Sequence, residues 1–149
     1  MIPLGIKFII GFLILSSIIW IAGQGGVVIN YDSVAELGFQ HDRRASSDPV
    51  ILQVNRGIAF GDVVIQLPLF IIGAIGLRRL RYYGVVASWM GLGINLYWIT
   101  AAWAKQFFYL NASIECEPFP TSLHGVLLFL FLFSVFGCLY LFKKRAIFD

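Results

Sequence analysis

The sequence predicts an all-α fold, an integral membrane four-helix bundle with antiparallel helices and both termini cytoplasmic. Three observations carry that prediction. Four apolar blocks, about 4–23, 57–77, 84–104 and 123–142, are each about as long as the roughly 20 helical residues that cross a hydrocarbon core. Of the 149 residues, 59% are hydrophobic and 13% charged, which leaves too little polar chain for a separate soluble domain once four spans are subtracted. Lys and Arg gather beside alternate ends of the blocks. A single four-span membrane domain over residues 1–149 accounts for all three.

The first span opens with Lys7 and an apolar run from Phe8 to Ile21, the outline of a signal peptide. Trp20 and Ile21 stand where a cleavage site wants small residues, so the segment is expected to remain as an anchor helix. Its Ser16, Ser17, Trp20 and Gln24 point toward one side, enough to close the outer half of a polar pocket, although serines in such helices usually bond their own backbone.

The loop over about 24–56 is the one long polar segment and is where much of the specific surface chemistry is expected. Ser33 and Glu36 have capping-box spacing, and Gly38 allows at best a short helix after them. Asp48 followed by Pro49 is a stronger helix start, with Asp48 as cap and Pro49 at the first helical position. The second helix is then expected over Pro49–Leu77, roughly 43 Å at 1.5 Å per residue, so its first two turns project beyond the apolar core.

Only Arg78–Tyr83 separates the second and third spans, which forces a hairpin. The segment Lys105–Ser122 mixes Phe107, Phe108, Tyr109 and Phe119 with Pro118 and Pro120 and reads as a loop lying at the membrane interface. Asn111-Ala112-Ser113 matches the glycosylation pattern, read here as a chance match close to the membrane. The fourth span, rich in Phe from Phe129 to Phe136 with only Ser134 and Cys138 weakly polar, reads as lipid-facing or as a packing surface for another subunit.

The net charge is +3, and its distribution sets the orientation. Lys7, then Arg78, Arg79 and Arg81, then Lys143, Lys144 and Arg145 fall on one side, diluted only by Asp149. Arg43, Arg44, Arg56 and Lys105 on the other side are mixed with Asp32, Glu36, Asp42, Asp48, Glu115 and Glu117. Positive residues in short loops stay in the cytoplasm, so both termini are expected inside. Basic runs beside spans serve topology and contact anionic membrane lipids, which argues against a nucleic-acid partner.

A stripe of polar and small residues singles out the second and third spans. At about 100° per residue, Asn55, Ala59, Asp62, Gln66, Leu69 and Gly73 share one face, as do Gly84, Ser88, Gly91, Asn95, Trp98, Ala102 and Gln106. Folding the hairpin at its loop brings Gln66 level with Asn95, Ala59 with Ala102, Asn55 with Gln106 and Gly73 with Ser88. Small residues let membrane helices approach closely, and Asn or Gln bond across the contact, so packing glue is the first reading of Gln66 and Asn95 and ligand contact the second. Gly57-x-x-x-Gly61 and Ala87-x-x-x-Gly91 fit packing equally well.

Asp62 is harder to assign to packing. It sits about five residues, roughly 8 Å, inside an apolar block, where a carboxylate must be paired, hydrated or protonated. Arg56 lies on another face of the same helix. His124 begins the fourth span at shallow depth on the same side, so Asp62 and His124 form the candidate acid–base pair, with Gln66, Asn95 and Trp98 as candidate ligand-binding residues. His41, Asp42, Glu115, Cys116, Glu117 and His124 match no known metal-site spacing, so no metal is assigned. Cys116 and Cys138 differ too much in depth for a bridge, and no Cys-x-x-Cys pair is present. His124 alone near a span does not make a bis-histidine haem, and the cofactor, if one is used, is unknown from the sequence.

The stretch from Asn55-Arg56-Gly57 through Pro68-Leu69-Phe70, in a four-span chain of this size, resembles the second helix of the membrane-associated eicosanoid and glutathione metabolism family. That family's helical asparagine and glutamate have no counterpart at the expected offsets, and its first loop is cytoplasmic. Size and span count are also similar to DoxX-like membrane proteins, without a motif that carries the likeness.

The first functional expectation is a non-catalytic accessory or binding subunit of a membrane complex, with a polar site open to the extracytoplasmic side. Its partners would be membrane lipids, another membrane protein or further copies of the chain, and a small amphipathic ligand. The second is a membrane-embedded enzyme acting on a lipid, isoprenoid or quinone-like molecule through Asp62 and His124. The third is an oligomeric channel or transporter, although no internal repeat or broken helix is visible in the sequence.

Overall fold

A computed structural model describes residues 2–37, 49–114, 118–119 and 121–148, and every regular element among them is helical. Helix α1 spans Leu4–Ile29, α2 Tyr31–Glu36, α3 residues 49–78, α4 Tyr82–Asn111 and α5 Thr121–Lys144, after which a 3-10 turn covers Arg145–Ile147. Four of these helices, α1, α3, α4 and α5, are long and apolar enough to cross a membrane, the architecture of a multi-pass membrane protein.

The helix ends follow local chemistry. Asn30 breaks from α1 with φ −148° and ψ 95°, and its side-chain oxygen accepts the Ser33 N–H at 3.4 Å. The short helix in the first loop is therefore capped by Asn30, one turn earlier than the Ser33 expected from spacing. Helix α3 starts at Pro49 as expected. At its other end the Arg81 N–H bonds Gly76 O at 2.9 Å and the Leu80 N–H bonds Leu77 O at 3.1 Å, a Schellman closure with Leu80 at φ 54°. A non-glycine residue there costs on the order of 1 kcal/mol, and Leu80 offsets part of that by packing on the core.

Helix α4 runs to Asn111 and closes the same way, with Ile114 N–H on Tyr109 O at 3.0 Å and Ser113 at φ 52°. Lys105–Asn111 is thus helix rather than interfacial loop. From Lys105 to Leu110 there is no proline, glycine or capping residue, and the prolines at 118 and 120 come only after Asn111. Phe107 and Phe108 sit exposed on this last stretch of helix.

Helix α1 packs on α3, α3 on α4 and α4 on α5, while α5 touches α1 more lightly and shares no extended contact with α3. The α3–α4 hairpin is the closest pair. A Cβ on Gly76 would lie 2.4 Å from Gly84 Cα, one on Gly73 would lie 2.7 Å from Ser88 Oγ, and one on Gly91 would lie 2.8 Å from Phe70. The Gly73–Ser88 register read from the two stripes is therefore present. Above this hairpin the core gathers Ile6, Ile9 and Leu13 of α1, Phe70 and Leu77 of α3, Val85, Leu92 and Ile99 of α4, and Leu127 and Leu141 of α5, all essentially inaccessible. Phe12 stacks on Phe133 at 4.1 Å between ring centroids, joining α1 to α5.

The two ends of the bundle differ. One end carries Lys7, Arg78, Arg79, Arg81, Lys143 and Lys144, all exposed. At the opposite end a smaller cluster of Val27, Tyr31, Val34 and Ala59 ties α2 to α1 and α3. There Arg56 donates to Val28 O at 3.4 Å and Lys105 donates to Asn55 Oδ1 at 3.0 Å.

Candidate functional site

The buried polar residues line up between the helices rather than scattering. On α3, Ala59, Asp62, Gln66, Phe70, Gly73 and Leu77 are buried, while the intervening Phe60, Val64, Ile65, Ile71 and Ile72 are exposed. On α4, Gly84, Ser88, Gly91, Asn95, Ala102 and Gln106 are buried and Trp98 half-buried. A carboxylate or carboxamide on these faces meets protein instead of hydrocarbon, as polar groups inside a membrane must.

Gln66 is fully buried and bonded at both ends of its amide. Its Oε1 accepts the Trp20 indole N–H at 3.0 Å, and its Nε2 donates to Gly91 O at 3.5 Å, so one side chain joins α1, α3 and α4. The Trp20 ring packs edge-on against Phe70 at 6.2 Å and against Trp98 at 6.0 Å. Asn95, 1% exposed, donates from Nδ2 to Ser134 Oγ at 2.9 Å, and Ser134 in turn donates to Leu130 O at 2.7 Å. The expected Gln66–Asn95 contact is replaced by two bonds that reach outward, one to α1 and one to α5. Asn55 likewise meets Lys105 rather than Gln106.

Two acceptors in this seam are left over. Asp62 is 6% exposed, and its Oδ2 is buried without a hydrogen-bond partner among the described residues; the same holds for Asn95 Oδ1. Gln106 Nε2, seven residues beyond the Asp62 level in the hairpin register, is a buried donor without a partner.

Asp62 and Gln66 also bound a π-helical turn, Asp62–Gln66, and α1 has another at Ile21–Gly25, directly after Trp20. The two widened turns touch each other. Single π-helical turns inside α-helices concentrate at functional sites, because the extra residue re-aims side chains that a regular helix would direct elsewhere.

His124 lies apart from this arrangement. It is exposed on α5, its Nδ1 accepts the Trp103 indole N–H at 3.2 Å, and its ring meets Phe119 edge-on at 6.0 Å. No hydrogen bond or ion pair joins it to Asp62, so the structure gathers Asp62, Gln66, Asn95 and Trp98 but not the fifth candidate. Of the residues weighed for a metal, His41, Asp42, Glu115, Cys116 and Glu117 lie outside the described residues, as does Asp48; among those described, no three His, Cys, Asp or Glu side chains are gathered.

Sequence reasoning placed Trp20 and Ser134 only loosely, and both turn out to be partners of the seam. Their signal was weak: Trp20 continues the buried four-residue spacing from Phe12 and Ser16, and Ser134 is one of two weakly polar residues in an otherwise apolar helix. The glycines at 23, 25 and 26 were the one hint of an irregular turn in α1. Ser17 bonds Leu13 O at 2.8 Å, the self-contained role expected of a serine in such a helix. Against protein-family models, curated proteins and solved structures, the chain finds no match.

Proposed function

We propose that this chain is a non-catalytic accessory or binding subunit of a membrane complex, with both termini cytoplasmic, whose seam around Asp62 and Asn95 holds a small amphipathic molecule reached from the extracytoplasmic side. The observation that carries the reading is the pair of buried acceptors without donors, Asp62 Oδ2 and Asn95 Oδ1, beside two touching π-helical turns. Packing glue would spend its hydrogen bonds, as Gln66 does. A buried polar group left unpaired costs about 1–3 kcal/mol, a cost that a bound guest supplying the missing donor removes. The charge asymmetry of the two ends supports the orientation, because the exposed Lys and Arg of one end face no acid among the described residues. Asp62 Oδ2 has no hydrogen bond to His124 or to any other described residue, so the acid–base pair lacks its second member, which favours binding at Asp62.

The test is a native mass spectrum of the protein released gently from its own membrane. A stoichiometric small-molecule mass that is retained by the unaltered chain and lost in Asp62→Asn is the expected result. A bare chain, or a bound mass indifferent to Asp62→Asn, refutes the role given to the seam.

A further inference from the structure

We propose that the guest of this seam is an apolar organic cation, its charge set against Asp62 and its body against the rings of Trp20 and Trp98. The inference rests on the binding reading above and names the chemical class that the same residues select. It follows from an inventory of donors and acceptors.

Each donor group around the seam already makes a bond within the protein. The Trp20 indole N–H is spent on Gln66, the Gln66 amide on Gly91 O, the Asn95 amide on Ser134, and the Ser88 hydroxyl on Gly84 O. The unpartnered donor, Gln106 Nε2, lies level with Asn55, roughly 10 Å along α3 from Asp62 at 1.5 Å per residue. What remains at the seam is a carboxylate oxygen and a carboxamide oxygen. A quinone or any other guest that presents only carbonyls leaves both of these oxygens unpaired. An anion meets a carboxylate. A guest that brings positive charge or N–H groups satisfies both orphan oxygens.

The walls then choose the kind of cation. A hard metal ion takes about six or more oxygens, or keeps water, and the seam's surroundings are indole and phenyl rings with apolar chains. Aromatic faces attract alkylated ammonium and phosphonium groups, whose charge is spread over carbon and which shed water readily. Asp62 is the one acidic side chain buried among the described residues, so the guest carries one compensating charge. The touching π-helical turns of α1 and α3 are where the bundle's regular hydrogen bonding is already relaxed.

The experiment uses the full chain reconstituted in vesicles of zwitterionic phosphatidylcholine, which offers cations no anionic headgroup. Equilibrium dialysis is run with tetraethylammonium and tetraphenylphosphonium, which bracket a range of sizes, and with tetraphenylborate, which has the shape of the phosphonium and the opposite charge. Saturable uptake of one of the cations, at least tenfold weaker in Asp62→Asn and several-fold weaker in Trp98→Leu, with no saturable uptake of tetraphenylborate, is expected. The helix content of both variants is checked by circular dichroism, and Asp62→Glu, which keeps the carboxylate, retains binding. Equal binding of tetraphenylborate, or full cation affinity in Asp62→Asn, overturns the proposal. Should neither cation bind while the native spectrum still shows a mass lost with Asp62→Asn, the cation class falls and the binding reading stands. Absence of both signals overturns both.

Discussion

The α3–α4 contact can be tested by adding a single methyl group. A Cβ on Gly84 would lie 2.3 Å from Gly76 C and 2.4 Å from Leu77 N, both backbone atoms that cannot swing aside. Favourable contact between carbons begins at about 3.5 Å, so Gly84→Ala demands a separation of about 1.2 Å along the tightest part of the hairpin. Overpacking of this kind costs about 1–3 kcal/mol, partly offset by the helix preference of Ala over Gly, at most about 1 kcal/mol. The control is Gly93→Ala on the same helix, where an added Cβ meets nothing within 4 Å and only the helix preference acts. The two variants should therefore differ in stability by about 2 kcal/mol, or roughly thirtyfold in the folding equilibrium. Unfolding by dodecyl sulfate in mixed micelles, followed by circular dichroism, measures the difference. If the two variants unfold within about 0.5 kcal/mol of each other, the hairpin is not packed backbone to backbone at Gly84.

Further outcomes follow from the same geometry. Asp62→Leu, which removes an unpaired buried polar group, should raise stability in the same assay by about 1–2 kcal/mol while abolishing guest binding; a loss of stability would mean that Asp62 has a structural partner. In a double-mutant cycle of Trp20→Phe and Gln66→Leu, the coupling should fall at about 0.6–1.7 kcal/mol, the range of hydrogen bonds between membrane helices, and a value near zero would deny the 3.0 Å bond. Ser134→Ala should cost about 1 kcal/mol and leave Asn95 without its α5 partner, whereas Thr100→Ala, at an exposed site bonded only to its own helix, should cost less than half of that. With Cys116 and Cys138 replaced by Ser, a cysteine at position 79 should react with a membrane-impermeant maleimide only from the cytoplasmic face and one at position 37 only from the other; the reverse pattern would refute the orientation.

Hydrophobic length made the four spans legible, because a membrane demands a run of about 20 apolar residues whatever else the chain does. The buried faces of α3 and α4 were legible for a related reason. Asparagine and glutamine find no favourable place against hydrocarbon, and small residues at the same helical spacing let helices approach, so Gly84, Ser88, Gly91, Asn95, Ala102 and Gln106 are placed inward by angle alone, and all are buried. The partners were not legible. A helical wheel gives a side chain's direction but not its reach, and Gln66 reaches Trp20 on α1 rather than its level partner Asn95. Nor does a wheel foresee a π-helical turn, which shifts everything beyond it by one residue and has no sequence signature comparable to proline. Depth alone sets His124 level with Asp62 and leaves the order of helices around the bundle out of account. Because α3 and α5 share no extended contact, equal depth does not bring their side chains together.

The contrast between Gln66 and Asp62 bears most directly on function, since the two occupy the same helix, the same buried face and the two ends of one π-helical turn. Gln66 behaves as interhelical glue should, with both ends of its amide bonded to neighbouring helices. A second amide or a leucine at position 62 would have served packing better than a carboxylate, which is the costliest of the common polar groups to bury unpaired. Nothing in the local geometry requires acid there: no arginine or lysine of the described core reaches it, and the nearest basic residue on α3, Arg56, is turned toward Val28 O. Polar groups that a fold keeps at a cost to its own stability cluster where a ligand, a proton or a partner later meets them. A carboxylate oxygen with no partner, beside aromatic rings and between two helices relaxed at the same level, is therefore where the proposed cation would be held, and packing alone gives no reason for it.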